Sequence, residues 1–216
     1  MSLASLKRTS EKVDTGEILD VLGPRLQFLT ALSDDDHDYC LNKGSVPPGV
    51  VVPLHSHPER ETFYVLEGEV EGLWKDRWIT LGAGDPFDVP GGLKHGWRNL
   101  SNASASMLVV VPMRLGRFFR DIGRPVATVA PGAPKPADLK RLVETSHAYG
   151  YWLGSPADNA AAGISFGRPE QQSSVHGEAN NCVSYVTWRA VGSAQYASAH
   201  AGGYPRQWTN MHRGEG

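Results

Sequence analysis

The chain of 216 residues lacks most of the features that would assign it to a special class of protein. Its two cysteines, Cys40 and Cys182, are isolated and form no Cys-x-x-Cys pair, which argues against a disulfide framework or a zinc ribbon. No apolar run is long enough to span a membrane, and the first residues have no apolar stretch typical of a secretion signal. We therefore expect a cytoplasmic protein without a membrane partner.

A large excess of charge of either sign is also lacking. The chain has 21 Lys and Arg residues against 23 Asp and Glu residues, so its formal net charge is −2. Such a balance gives no bulk electrostatic attraction to nucleic acid or to an anionic membrane. With 40% hydrophobic residues, the composition is that of an ordinary globular protein.

Two motifs, fifteen residues apart, stand out from this ordinary composition. The first, GVVVPLHSHPERETFYVLEG, contains His55, His57 and Glu61, and the second, GDPFDVPGGLKHGWRN, adds His95. Three imidazoles and one carboxylate are a usual ligand set for a divalent transition metal. We therefore predict that these four residues bind one such ion, although the residues do not discriminate among Fe, Mn, Ni, Co, Cu and Zn.

Local geometry indicates how the four side chains could converge. In a strand, residues i and i+2 point to the same face, so His55 and His57 lie side by side. Pro58 ends that strand, and a hairpin would bring Glu61 back across from the two histidines. His95 follows a Pro-Gly-Gly turn signal and is expected on a facing strand.

Both stretches resemble the two conserved motifs of the cupin superfamily. The ten residues that carry the resemblance are Gly49, His55, His57, Glu61, Gly68, Gly84, Pro90, Gly92, His95 and Asn99. The resemblance implies an all-β, antiparallel double-stranded β-helix, a jelly-roll barrel with a metal in its mouth. It does not imply one chemistry, because cupins include dioxygenases, isomerases, decarboxylases, storage proteins and sugar-binding sensor domains.

The whole chain divides into four predicted segments. Residues 1–14 form an N-terminal arm, and roughly ten short strand-like runs in residues 15–112 predict the barrel. Residues 113–166 contain two short helical patterns around a proline-rich linker, RPVATVAPGAPKPAD. In the tail, residues 167–216, only VSYVTWRAV is strand-like.

Several residues of these later segments receive no functional role. Phe118 and Phe119 are expected to pack on the barrel, with a place at a substrate entrance as the less favoured alternative. No metal is assigned to the remaining histidines considered, which are His147, His176, His200 and His212.

Strand alternation predicts what surrounds the metal. Phe63, Trp97, Val51 and Pro53 share strand faces with the proposed ligands, which predicts an apolar, aromatic-rimmed substrate pocket. Such a pocket favours a hydrophobic or aromatic ligand that carries oxygen atoms for the metal over a densely charged sugar phosphate. The alternative, that Phe63 and Trp97 only fill the core, stays open.

Three functions are compatible with this ligand set. The favoured one is a metal-dependent dioxygenase that resembles the single-barrel, quercetinase-like enzymes, acts on a small hydroxyl- or enol-bearing substrate, and uses Glu61 as the catalytic base. The second is a binding or sensing module without catalysis. The third is an isomerase or decarboxylase in which the metal acts as a Lewis acid and Lys43 is a candidate polar partner.

Assembly is predicted from the N-terminal runs EILDVLG and RLQFLTAL. Both are apolar enough to cover the sheet of another subunit, and open sheet edges can pair with a second chain. We therefore expect a homodimer.

Overall fold

The computed structural model describes residues 17–130 and 134–164. The predicted N-terminal arm and the predicted tail lie outside the described residues. The same holds for the strand-like run VSYVTWRAV and for His176, His200 and His212.

The described residues form twelve strands, three α-helices and one 3₁₀ turn. The strands are β1 (Ile18–Asp20), β2 (Arg25–Phe28), β3 (Tyr39–Val46), β4 (Val51–Ser56), β5 (Glu61–Glu67), β6 (Glu69–Trp74), β7 (Arg77–Gly82), β8 (Pro86–Val89), β9 (His95–Arg98), β10 (Ala105–Pro112), β11 (Arg124–Pro125) and β12 (Trp152–Leu153). The helices are α1 (Met113–Ile122), α2 (Pro136–Tyr149) and α3 (Pro156–Ala161), and the 3₁₀ turn is Val126–Thr128. None of these helices is both long and apolar enough to cross a membrane.

The strands form two antiparallel sheets that share one core. The first has the order β11-β1-β2-β3-β10-β5-β8, and the second has the order β12-β4-β9-β6-β7. The core between them takes Val65 and Met107 from the first sheet and Val70 and Trp97 from the second. The predicted all-β jelly roll with short C-terminal helices is confirmed, in the form of two packed sheets.

Period-two alternation in the sequence explains how each strand faces this core. In β5, Phe63 and Val65 are buried, whereas Tyr64 and Leu66 between and beyond them are exposed. Because successive side chains of a strand point to opposite faces, this pattern fixes which face of the sheet covers the core. The same alternation orients Lys43 on β3 outward, between the buried Asn42 and Gly44.

The predicted hairpin between the two halves of the first motif is wrong. β4 belongs to the five-stranded sheet and β5 to the seven-stranded sheet. β4 is already hydrogen-bonded on both sides, to β9 and to β12, so β5 has no free edge of β4 to pair with. Glu61 therefore faces the histidines from the opposite sheet, while His95 lies on the neighbouring strand of their own sheet.

The chain after α1 is more regular than the predicted linker. β11 pairs with β1, and Arg124 in β11 forms an ion pair with Asp138 of α2 at 2.8 Å. These contacts order the start of the stretch that its four prolines marked as irregular. The predicted proline-rich linker therefore begins with a short strand and a 3₁₀ turn over Arg124–Thr128.

The segment after α2 covers the open side of β4. Leu153 of β12 pairs with His55, and α3 packs behind this pair. The side-chain oxygen of Asn159 accepts a hydrogen bond from the backbone N–H of Leu54 at 2.8 Å, and its amide nitrogen donates to the carbonyl of Gly154 at 2.9 Å. Asn159 thus ties this C-terminal segment to the strand that carries the first motif.

Candidate metal centre

The four predicted ligands converge at one point between the two sheets. One ligand atom from each of His55, His57, Glu61 and His95 lies within 4.8 Å of the others. The Oε2 atom of Glu61 lies 3.3 Å from Nε2 of His57 and 3.4 Å from Nε2 of His95. His57, Glu61 and His95 are buried, and His55 is partly buried.

Three backbone elements position these side chains. His55 on β4 and His95 on β9 are direct register partners, so their imidazoles lie side by side. Glu61 is the first residue of β5 in the facing sheet, and its side chain points into the core. His57 lies just beyond the end of β4, where the chain leaves the five-stranded sheet.

The turn before His95 supports the loop that carries His57. The N–H of Gly92 donates a hydrogen bond to the carbonyl of His57 at 2.7 Å. A Cβ atom placed on Gly91 would lie 2.0 Å from the carbonyl oxygen of Pro58, so only glycine allows this close approach. The two motifs are therefore packed directly against each other at the metal-ligand cluster.

Each imidazole is held by a backbone carbonyl on the side away from the cluster. The Nδ1 atoms of His55, His57 and His95 lie 2.8, 2.9 and 3.0 Å from the carbonyl oxygens of Pro53, Glu59 and Leu93, respectively. A carbonyl oxygen only accepts hydrogen bonds, so each Nδ1 carries a proton and, in the neutral ring, each Nε2 presents a lone pair. This second contact, which fixes the tautomer, is typical of histidines that ligate metals.

The donor set fits a cation. With neutral imidazoles, three Nε2 lone pairs and the ionised carboxylate of Glu61 share one small space, and no proton lies between them. Nε2 of His95 is buried and has no hydrogen-bond partner. Buried polar atoms are almost always satisfied, so this arrangement calls for a positive centre that all four groups can reach. The His/Glu cluster can therefore bind a metal ion.

The charges of the cluster support the same assignment. Burial alone would raise the pKa of Glu61, but the imidazoles of His57 and His95 beside its carboxylate outweigh burial and lower its pKa to about 2. Burial, together with the neighbouring imidazoles, lowers the pKa of His55 to about 3. At neutral pH the site therefore offers an anionic carboxylate beside at least one uncharged imidazole, which are the protonation states that metal ligation requires.

A cavity of about 160 Å³ opens onto this cluster. A single water molecule needs only roughly 10–15 Å³ of such volume, so the cavity has room for a small organic molecule. His55, His57 and Glu61 form its polar end, and Phe63 and Trp97 line its wall. Most of the remaining lining is apolar, and among the described residues no Lys or Arg lines it.

Phe63 and Trp97 have both of the roles that the sequence left open. They line the cavity, and they also belong to the main hydrophobic core, with ring centroids 4.3 Å apart. The predicted pocket position of Val51 is wrong, because an irregularity in β4 between Val52 and His55 shifts the alternation. Val52 faces the cavity instead, and Val51 packs in the smaller second core.

Several lining residues come from the part of the chain that follows the two motifs. Phe118 and Phe119 of α1 line the cavity in addition to packing on the sheets, so the less favoured of their two predicted roles also applies. Ser146 of α2 and Tyr151 after it complete the same wall. In contrast, Lys43, the candidate polar partner of an isomerase or decarboxylase, is exposed on the outer face of its sheet and does not line the cavity.

Tyr151 lies against the metal-ligand cluster itself. Its ring centroid is 5.5 Å from that of His57 and 4.8 Å from that of Phe118. Its hydroxyl oxygen is buried and has no hydrogen-bond partner in the described structure. Burial, followed by the nearby carboxylate of Glu59, raises the pKa of Tyr151, so the hydroxyl is neutral at physiological pH. No pattern in the sequence pointed to this residue, because it lies outside both motifs.

The family relationship follows from the residues that form this centre. Residues 43–111, which include all four proposed ligands, match the family described as "Cupin domain". The chain carries a cupin domain. Tyr151 and the helices α1 and α2 lie beyond the matched residues, so the family match itself assigns nothing to them.

Proteins similar to this cupin chain have different names and activities. The chain is 29% identical over 125 residues to quercetin 2,3-dioxygenase of Bacillus subtilis, covering 56% of this chain and 37% of that protein. It is 31% identical over 119 residues to germin-like protein 3-7 of Oryza sativa, covering 49% of this chain and 51% of that protein. The chain therefore spans about half or less of the length of these relatives.

Solved structures with similar folds also include several kinds of protein. A polyketide cyclase of Streptomyces resistomycificus matches with a TM-score of 0.42 and 23% identity, over 46% of this chain and 75% of that one. A predicted oxalate decarboxylase of Thermotoga maritima matches with a TM-score of 0.39 and 25% identity, over 41% and 79% of the two chains.

Proposed function

We propose that this cupin is a metal-dependent dioxygenase that acts on a small hydrophobic or aromatic substrate with a hydroxyl or enol oxygen. One observation carries the proposal: the His/Glu cluster opens into a cavity that is otherwise apolar and lined by aromatic rings. The similarity to a quercetin 2,3-dioxygenase supports the same reaction class.

The lining argues for an uncharged substrate body. Phosphates and dicarboxylates are normally bound by Arg or Lys side chains, and none of the described residues at the cavity supplies one. Phe63, Trp97, Phe118 and Phe119 instead offer aromatic surface on which a flat apolar molecule can pack. The substrate then meets polar groups mainly where its oxygen atoms reach the cluster.

His55, His57, Glu61 and His95 would hold the ion, one divalent transition metal. When bound, such an ion supplies Lewis-acid polarisation of a substrate oxygen and the redox chemistry that oxygenation requires. The side chains of the cavity hold the apolar body, exclude water and so strengthen electrostatic interactions at the cluster.

Glu61 is the proposed catalytic base. Its carboxylate is ionised, lines the cavity and lies among the ligand nitrogen atoms, so Oε2 can accept the proton of a bound hydroxyl or enol. Deprotonation converts the substrate into an electron-rich anion, which is the form that reacts with dioxygen. No second acid or base is needed for this step.

Oxygen consumption with matched substrates tests the proposal. The purified protein, with its metal content measured, is given 3-hydroxyflavone, an enolisable β-diketone, and flavone, which has the same ring system without the hydroxyl. We expect oxygen uptake with the first or second compound and none with flavone. Binding of the enols without any oxygen uptake would favour the alternative function, a non-catalytic binding or sensing module.

An isomerase or decarboxylase is less favoured by the same site. Lys43, the one polar partner suggested for such a reaction, points away from the cavity. Product formation without oxygen consumption would revive this alternative. A reducing, cytoplasmic location is part of the proposal, and the free thiol of Cys40, buried beneath α1, is compatible with it.

A further inference from the structure

The wall of the cavity beside the His/Glu cluster contains a hydroxyl group that forms no hydrogen bond in the described structure. Tyr151 is only 9% exposed, it lines the cavity, and its hydroxyl oxygen forms no hydrogen bond in the described structure. The carboxylate of Glu59 is nearby, and its buried Oε2 atom is likewise without a hydrogen-bond partner in the described structure. A buried hydroxyl left in this state costs free energy unless a ligand completes it.

The surroundings of Tyr151 hold its ring in place. The ring packs against His57 on one side and Phe118 on another, and its backbone N–H donates to the carbonyl of Ser146 at 2.8 Å. Arg114, whose guanidinium is bound by Glu59, lies 5.4 Å from the ring. A hydroxyl on a ring fixed in this way can recognise a ligand atom at small entropic cost.

We propose that the Tyr151 hydroxyl is a substrate-binding group that hydrogen-bonds one oxygen of a ligand whose neighbouring oxygen reaches the metal-ligand cluster. This inference rests on the proposed function and deepens it, because it restricts the substrate to molecules with two adjacent oxygen atoms on an apolar body. The ring of Tyr151 lies beside His57, with ring centroids 5.5 Å apart, so two oxygens on neighbouring carbons suit a ligand that touches both groups. An α-hydroxyketone or its enol has this arrangement.

A nearby tyrosine provides a matched control. Tyr149 belongs to the same aromatic group, with its ring centroid 5.5 Å from that of Tyr151. Its hydroxyl, however, donates to Oδ2 of Asp121 at 2.7 Å, and Tyr149 is not among the residues that line the cavity. Tyr151→Phe and Tyr149→Phe therefore remove the same atom in two different settings. The Tyr151 hydroxyl has no partner in the described structure, whereas the Tyr149 hydroxyl is already hydrogen-bonded within the protein.

The test measures stability and ligand affinity for wild type, Tyr151→Phe and Tyr149→Phe. The probe is 3-hydroxyflavone, which carries adjacent hydroxyl and ketone oxygens, and its Kd is measured by fluorescence titration under argon. Tyr151→Phe should weaken binding about three- to tenfold, the effect of one lost neutral hydrogen bond, and leave the Tm unchanged. Tyr149→Phe should lower the Tm by about 2–4 °C and leave the Kd unchanged.

Each contrary result has a defined meaning. If Tyr151→Phe lowers the Tm and leaves the Kd unchanged, the hydroxyl is structural and the inference is overturned, whereas the dioxygenase proposal survives. If wild type does not bind the probe at all, the adjacent-oxygen substrate class is overturned. If Tyr151→Phe weakens binding but wild type consumes no oxygen, the inference holds and the dioxygenase proposal fails.

Discussion

The imidazoles of His55 and His95 lie side by side across two neighbouring strands, with ring centroids 4.1 Å apart. Two buried histidines at this distance gain little from each other, because both point a lone pair toward the same small space when they are neutral. Their Nδ1 atoms are bound to carbonyls of their own chain, so neither ring can turn to relieve the contact. A cation held by both rings and Glu61 would stabilise the pair.

The first prediction concerns metal retention. His57→Ala removes one lone pair from the cluster and the contact to Glu61 at 3.3 Å, so we expect the bound metal per chain to fall by at least tenfold. His147→Ala is the control, since His147 is exposed on α2, outside the cluster. Metal content is measured by mass spectrometry after gel filtration. Equal occupancy in both variants would contradict the role of His57.

The second prediction concerns metal removal. A ligand that binds only the folded chain stabilises it by about 2.7 kcal/mol when its concentration is 100 times its Kd. Chelation should therefore lower the Tm of wild type by several degrees, and re-addition of a divalent transition metal should restore it. In His95→Ala the Tm should respond little to either treatment, because the buried Nε2 that lacks a partner is gone. If chelation left the Tm of wild type unchanged, the result would contradict the proposed metal site.

These two predictions concern residues that could be predicted from the sequence. Motif spacing predicted the four residues that cluster, and strand alternation placed Phe63 and Trp97 on the same side of the sheets as this cluster. Alternation assigns a side chain to one face of a strand but does not indicate which strands pair. The prediction therefore placed Glu61 on the strand next to the histidines and His95 on a facing strand, whereas the structure has the reverse arrangement. The irregularity in β4 that moves Val52 into the cavity leaves no mark in a run of three valines.

Sequence patterns could not predict that the C-terminal segment contributes to the cavity wall, and the reason is different. Tyr151 lies directly before β12, which pairs with β4, and an amide side chain more than one hundred residues from Leu54 supports this arrangement. Such long-range contacts leave no local periodicity. In the sequence, Tyr151 has no feature that distinguishes it from any other tyrosine that follows a helix.

The third prediction tests this attachment. Asn159→Ala leaves the N–H of Leu54 without its partner and also removes the bond to the carbonyl of Gly154. A buried, unsatisfied backbone group costs about 1–3 kcal/mol, so the free energy of unfolding in urea should fall by about that amount. Asn102→Ala, in an exposed loop, is the control and should have no effect. Rapid hydrogen exchange of the Leu54 amide in Asn159→Ala alone would locate the loss.

The fourth prediction concerns assembly. The runs expected to cover a partner, β1 and β2, pair within the chain's own sheet, but the outer face of that sheet exposes Tyr64, Leu66 and Val110. We still expect a homodimer and propose that it forms through this face. Light scattering at micromolar concentration should give twice the chain mass for wild type and the chain mass for Tyr64→Lys. Ile79→Lys, on the other sheet, should remain dimeric; a monomeric wild type refutes the prediction.

The last prediction separates binding from catalysis at the same residue. Glu61→Gln keeps the size and one oxygen of the side chain but removes the base, so turnover of 3-hydroxyflavone should fall by about 10²–10⁴-fold per bound metal. Its Kd for the probe should change far less, since the apolar wall holds most of the ligand. Trp97→Phe should affect binding of the probe and not the metal. Trp97 is 4% exposed, lines the cavity and forms no hydrogen bond to a residue of the metal-ligand cluster. The substitution should weaken probe binding at unchanged metal content. If Glu61→Gln retained full turnover per bound metal, the proton would have to leave by another route, and Glu61 would be a ligand only.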